Sequence, residues 1–94
     1  DFRTWVLLLD SEYRMNYHED LYDDANRALE FFPNQVNFYL FSGIGALRSD
    51  REKEAASILK SGLNYVFDNP SIEFQFDSYL GEAYNSLKNY GKSD

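Results

Sequence analysis

The chain has no cysteine and, in 94 residues, only two prolines, one tryptophan, one methionine and one histidine. The absence of cysteine excludes a disulfide framework and a thiolate metal site, so stability has to come from packing, and the redox compartment is unreadable. No run of about eighteen apolar residues occurs, and the longest uncharged stretch, Phe31 to Leu47, is interrupted by Pro33, Asn34 and Gln35, which excludes a membrane-spanning helix. Basic residues are scarce as well: nine Lys and Arg stand against sixteen Asp and Glu, a net charge of −7. Residues 1 to 34 hold eight acids (Asp1, Asp10, Glu12, Glu19, Asp20, Asp23, Asp24, Glu30) against Arg3, Arg14 and Arg27, and no later segment supplies a basic stripe. Counterion-release binding to nucleic acid is therefore not expected, and the same field opposes anionic lipid. The acids of residues 19 to 24 are expected to form a solvated helix face near an N-terminus, where the helix dipole favours negative charge.

What is abundant is apolar and aromatic side chain: 44% of the residues are hydrophobic and 18% aromatic, well above the range of disordered chains. At this length one small domain is expected. The apolar positions recur at helical spacing, as in Trp5, Leu8, Leu9 and Tyr13, and again in Leu21, Ala25, Ala28, Leu29 and Phe32. Asn16 with Glu19, and Ser49 with Glu52, read as capping boxes that open helices. Pro33-Asn34 and Asn69-Pro70-Ser71 stop one helix and cap the next. The spacing predicts five helices near residues 2–15, 18–32, 35–48, 51–67 and 72–88, and no strand. The aromatic run Phe38 to Phe41 is not read as a buried strand, because Ser42 to Ala46 continue its helical spacing without turn chemistry.

The chain also resembles itself. A shift of 34 residues lays Trp5 on Tyr39, Leu9 on Gly43, Leu21 on Ala55, Ala25 on Leu59, Ala28 on Gly62 and Leu29 on Leu63; a shift of 38 lays Phe38 on Phe76, Phe41 on Tyr79, Gly43 on Gly81 and Gly45 on Ala83. The four extra residues amount to about one helical turn, which preserves the phase of the helix. Trp5, Leu8, Ala28, Leu29 and Pro33, then Tyr39, Gly43, Ala55, Leu59, Gly62 and Leu63, then Leu80-Gly81-Glu82-Ala83-Tyr84 with Asn89-Tyr90, form a pattern that resembles the tetratricopeptide repeat. Leu9, Ser42 and Phe67 depart from it, and the second closing proline arrives late, as Pro70.

The resemblance implies an all-α fold of antiparallel helix-turn-helix repeats stacked into a right-handed superhelix. Repeat one spans about 2–35, repeat two about 36–73 and a partial repeat three about 74–94, as in a piece of a longer solenoid. Small residues (Gly43, Gly45, Gly62, Ala28, Ala55) are expected to let helices approach, with large partners filling the gaps. Trp5, Leu8, Tyr39, Leu59, Tyr79 and Tyr84 are expected inside. In the resembled family the first helix of each repeat lines a concave groove. Carried onto this chain, that spacing selects Arg3, Val6, Asp10 and Tyr13; Asn37, Leu40, Ile44, Leu47 and Arg48; and Gln75, Ser78, Glu82 and Asn85. Val6, Asp10 and Ile44 stand where family members that clamp a C-terminal carboxylate carry cations and amides, so that mode of binding is not expected. On this reading, Leu40→Asp and Ile44→Asp abolish partner capture and leave helicity intact.

No catalytic constellation assembles, and the chain is expected to be no enzyme and to use no cofactor or metal. His18 is expected in a first helical turn, solvated or capping. The spacing of Asp20, Asp23 and Asp24 is not that of a calcium loop. Gly43-Ile44-Gly45 lacks the third glycine and the preceding strand of a dinucleotide fingerprint, and Pro70 disables the lone glycosylation sequon at Asn69. The expected function is a non-enzymatic module or scaffold that binds a partner peptide or helix, with self-association through uncapped repeat ends. The alternative is a regulatory or substrate-presenting arm of a larger enzyme. Location is open between the cytoplasm and a bacterial cell envelope.

Overall fold

The computed structural model describes residues 1–89, and Tyr90, counted above toward a third repeat, lies outside them. Among the described residues five helices follow one another: α1 (Phe2–Arg14), α2 (His18–Phe31), α3 (Val36–Arg48), α4 (Glu52–Leu63) and α5 (Pro70–Asn89). The described residues contain no strand. The described residues are thus all-helical, as their periodicity predicts, with each helix packed on the next and α3 also touching α1 and α5. No helix among the described residues is long and apolar enough to cross a membrane.

Two ends are fixed by side chains, one of them at the Asn69 the sequence points to. Asp1 caps α1 by accepting from the Thr4 amide at 2.9 Å, and Asn69 Oδ1 accepts from the Ile72 amide at 3.2 Å, one residue before Pro70 opens α5. The two capping boxes do not form. Tyr17 and Arg51 are the N-caps of α2 and α4, and neither helix has a side-chain cap. Asn16 and Asp50 instead adopt the left-handed conformation, each with φ of 63°, which short polar side chains tolerate. The turn is closed by backbone: the Tyr17 amide donates to the Glu12 carbonyl at 2.9 Å, and the Arg51 amide to the Ala46 carbonyl at 2.8 Å. Asn16 and Asp50, and the two donors and acceptors, are related by the same shift of 34 residues as the sequence repeat.

Two boundaries differ from expectation. α4 ends at Leu63 rather than at 67, with the Tyr65 and Val66 amides turning back on Gly62 and Leu63. α5 begins at Pro70 rather than 72. Fully buried Leu9, Leu21, Phe38, Leu59 and Phe76 form the centre of a core drawn from all five helices.

Small residues do allow close approach. A Cβ built on Gly45 would stand 2.6 Å from the Tyr22 backbone nitrogen, and one on Gly43 would run into the Leu59 side chain. Leu59 is inside as expected; Trp5, Tyr39 and Tyr79 are half-buried. Leu8 and Tyr84 are exposed rather than interior, at 39% and 48%, because no described helix covers the outer sides of α1 and α5 on which they lie.

Candidate functional site

Alternate helices of the chain, α1, α3 and α5, share one side of the molecule and leave a groove of about 370 Å³ between them. Val6, Asp10 and Tyr13 from α1, Asn37, Leu40 and Ile44 from α3, and Gln75 from α5 all line it, so seven of the thirteen residues selected by spacing meet in one hollow. The floor is apolar. Leu40 and Ile44 are buried to 8% and 4% exposure and belong to the core as well as to the groove, because α3 is the central helix. An aspartate at either position would leave a charge without a partner in that core. Leu40→Asp and Ile44→Asp are therefore expected to unfold the chain, which corrects the expectation that they spare helicity.

Polar groups mark the two ends of the floor. Asn37 and Gln75 place side-chain amides at one end, where Asn37 and Ile72 also line an adjoining hollow of similar size that contains no charged residue. At the other end the Tyr79 hydroxyl is pushed above its usual range, first by burial and then by the neighbouring Tyr13. The Tyr13 ring packs at 6.0 Å from that of Phe41. Arg48 lies over the Tyr79 ring at 5.9 Å and pairs with Glu82, tying α3 to α5 at this end. Asp10 is the one charged residue in the lining, and it is neutralised along α1 by Arg14 at 2.9 Å.

The remaining selected residues lie elsewhere. Arg48 and Glu82 face each other beside the groove rather than in its lining, Leu47 is in the core, and Arg3, Ser78 and Asn85 are exposed outside the lining. Spacing missed Leu7, Phe41, Ile72 and Tyr79. α5 turns its 72–75–79 stripe toward α3, so Tyr79 enters the groove where Ser78 was expected. The equivalence of Phe41 and Tyr79 under the shift of 38 was the available signal.

A second polar region lies between α1 and α2. The Glu12 carboxyl is buried among acids, and its pKa is raised to about 8, mainly by loss of water and further by Asp24 and Asp20. Its Oε1 has no hydrogen-bond partner among the described residues, and the same holds for His18 Nδ1 and Ser49 Oγ. His18 stands in the first turn of α2, as expected, and is half-buried there. No group of three or more His, Asp or Glu among the described residues is arranged to hold a metal ion.

No protein-family model matches the chain, and no curated protein or solved structure matches it either. A functional reading therefore rests on the groove.

Proposed function

We propose that this chain is a protein-interaction module of tetratricopeptide type, which holds a segment of a partner protein in the groove between α1, α3 and α5. The observation that carries the reading is the convergence of side chains from three alternate helices on one apolar floor with polar ends. Such a floor takes an apolar anchor side chain, and the amides of Asn37 and Gln75 suit the backbone of the segment that carries it. The two α–α turns that repeat their backbone hydrogen bonds at a shift of 34 residues support repeat units of tetratricopeptide length. In this reading the helix pairs stack as a right-handed solenoid, and the groove is its concave side.

The test is selection of peptides from a displayed random library against the chain, followed by amide chemical-shift mapping of the best binder. Perturbations on Val6, Asn37, Gln75 and Tyr79 are expected, from peptides that share an apolar anchor. Perturbations confined to α2 and α4, or no enrichment of apolar anchors, would sink the proposal.

A further inference from the structure

The glycines of the helices differ in one respect. A Cβ on Gly43, Gly45 or Gly62 would collide with a neighbouring helix, whereas a Cβ on Gly81 would meet nothing within 4 Å among the described residues. Gly81 corresponds to Gly43 under the shift of 38, so the same small residue that receives Leu59 in α3 faces open space in α5. It lies in the middle of an exposed stripe of Phe74, Asp77, Gly81, Tyr84 and Lys88, whose spacing of three, four, three and four is that of a coiled-coil seam. Phe76, Leu80 and Ala83, on another side of α5, are committed to the core. Phe74 and Tyr84 are 71% and 48% exposed, so the seam carries large rings in water.

We infer that α5 is a homodimerisation helix, which packs antiparallel on α5 of a second copy of this chain through the Asp77–Lys88 part of this seam. The pattern of sizes and charges selects this occupant. With the two-fold axis level with Glu82 and Ala83, Tyr84 of each copy lies over Gly81 of the other, and Asp77 of each lies against Lys88 of the other. Large meets small and acid meets base, each twice, as an isologous contact requires. A parallel arrangement would set Asp77 on Asp77 and Lys88 on Lys88, and would leave a void between two glycines. Asp77 to Lys88 spans about three turns of helix. The contact is therefore at the small end of interfaces, and the dimer exchanges rapidly with monomer. This face is separate from the groove, so the inference stands or falls independently of the proposed function.

Sedimentation equilibrium of the chain at low salt, from micromolar to millimolar concentration, tests it. A monomer–dimer equilibrium is expected, weakened about tenfold or more by Asp77→Lys or Lys88→Asp alone and restored in the double variant. Circular dichroism of each variant should match wild type, because both side chains are exposed. A chain that stays monomeric throughout, a dimer indifferent to both single changes, a double variant that is not rescued, or mass that grows beyond dimer would each overturn the inference.

Discussion

Gly62 of α4 lies against the Phe76 ring of α5, so closely that a Cβ on the glycine would stand 2.5 Å from Cε2 of the ring and 2.6 Å from Cβ of Tyr39. One hydrogen atom in place of a side chain thus sets the distance between three helices. Phe76 is fully buried, and Tyr39 is held by its hydroxyl, which donates to the Pro33 carbonyl at 3.1 Å, and by a stacked Tyr65 ring at 5.4 Å. Neither neighbour is free to move aside.

Gly62→Ala should therefore destabilise the fold by roughly 1–3 kcal/mol through overpacking, despite the better helix propensity of alanine. Gly43→Leu should do the same at the Leu59 contact. Gly81→Ala is the control: with open space around it, alanine should stabilise α5 by roughly 0.5–1 kcal/mol. Thermal melts of the three variants at low protein concentration, where the chain is monomeric, should show two losses and one gain. A loss at Gly81 of the size seen at Gly62 would refute the packing argument.

Glu12 gives the fold a dependence on pH. The residue is 8% exposed and its carboxyl pKa is raised to about 8 from an ordinary value of 4.5, so between those limits the folded chain keeps a proton that the unfolded chain releases. Stability from this group is fully present below pH 4.5, falls as pH rises toward 8 and is flat above it. Glu12→Gln keeps the shape, removes the titration and can donate to Asp24 at every pH. Urea titrations should find the variant more stable than wild type at pH 8, by roughly 1–3 kcal/mol, with little difference at pH 4. An equal effect at both values would mean that Glu12 does not hold the proton.

The paired Arg48 and Glu82 join α3 to α5 across the fold, yet both are exposed, at 38% and 45% of their side chains. Water and salt screen such a pair, so Glu82→Gln should change stability by less than about 1 kcal/mol, and by less still in high salt. A loss of several kcal/mol in the same urea titrations would give the ion pair a structural weight that its exposure does not allow.

The helices were legible because periodicity of apolar residues depends only on which face is buried, and Leu21, Ala25 and Ala28 keep one face of α2 inside throughout. The turns were not. Asn16 and Ser49 carry the residue types of a capping box, but the backbone bonds from Tyr17 to Glu12 and from Arg51 to Ala46 close the turn first and leave no helix end for those side chains to cap. The side of the groove formed by α1 and α3 could be read in part from the resembled family's spacing, which found Val6, Asp10, Asn37 and Leu40 but missed Leu7 and Phe41. Of its α5 side only Gln75 could, because a constant shift of 38 carries residue types across but not the rotation of α5 about its own axis. Ser78 and Tyr79 are adjacent in sequence, and only packing against α3 decides which of them enters. Leu47 shows the same limit, since its helical position suits groove and core equally.

That double duty of α3 dictates how the groove has to be tested. Substitutions on its floor confound binding with folding, whereas Leu7 stands on the α1 lip with 63% exposure and Gln75 is exposed on the α5 wall. Leu7→Glu replaces an apolar contact on the lip with a charge that water can reach, so stability should change by no more than about 0.5 kcal/mol. Capture of a library-selected peptide with an apolar anchor should nevertheless weaken about tenfold or more, because the charge would be desolvated when the peptide closes over it. Gln75→Ala should weaken it less, by the worth of one hydrogen bond. Isothermal titration with both variants, alongside their melts, separates the two effects. Undiminished affinity in Leu7→Glu would move the binding surface off this lip, whereas a melt that falls together with affinity would return Leu7 to a structural role.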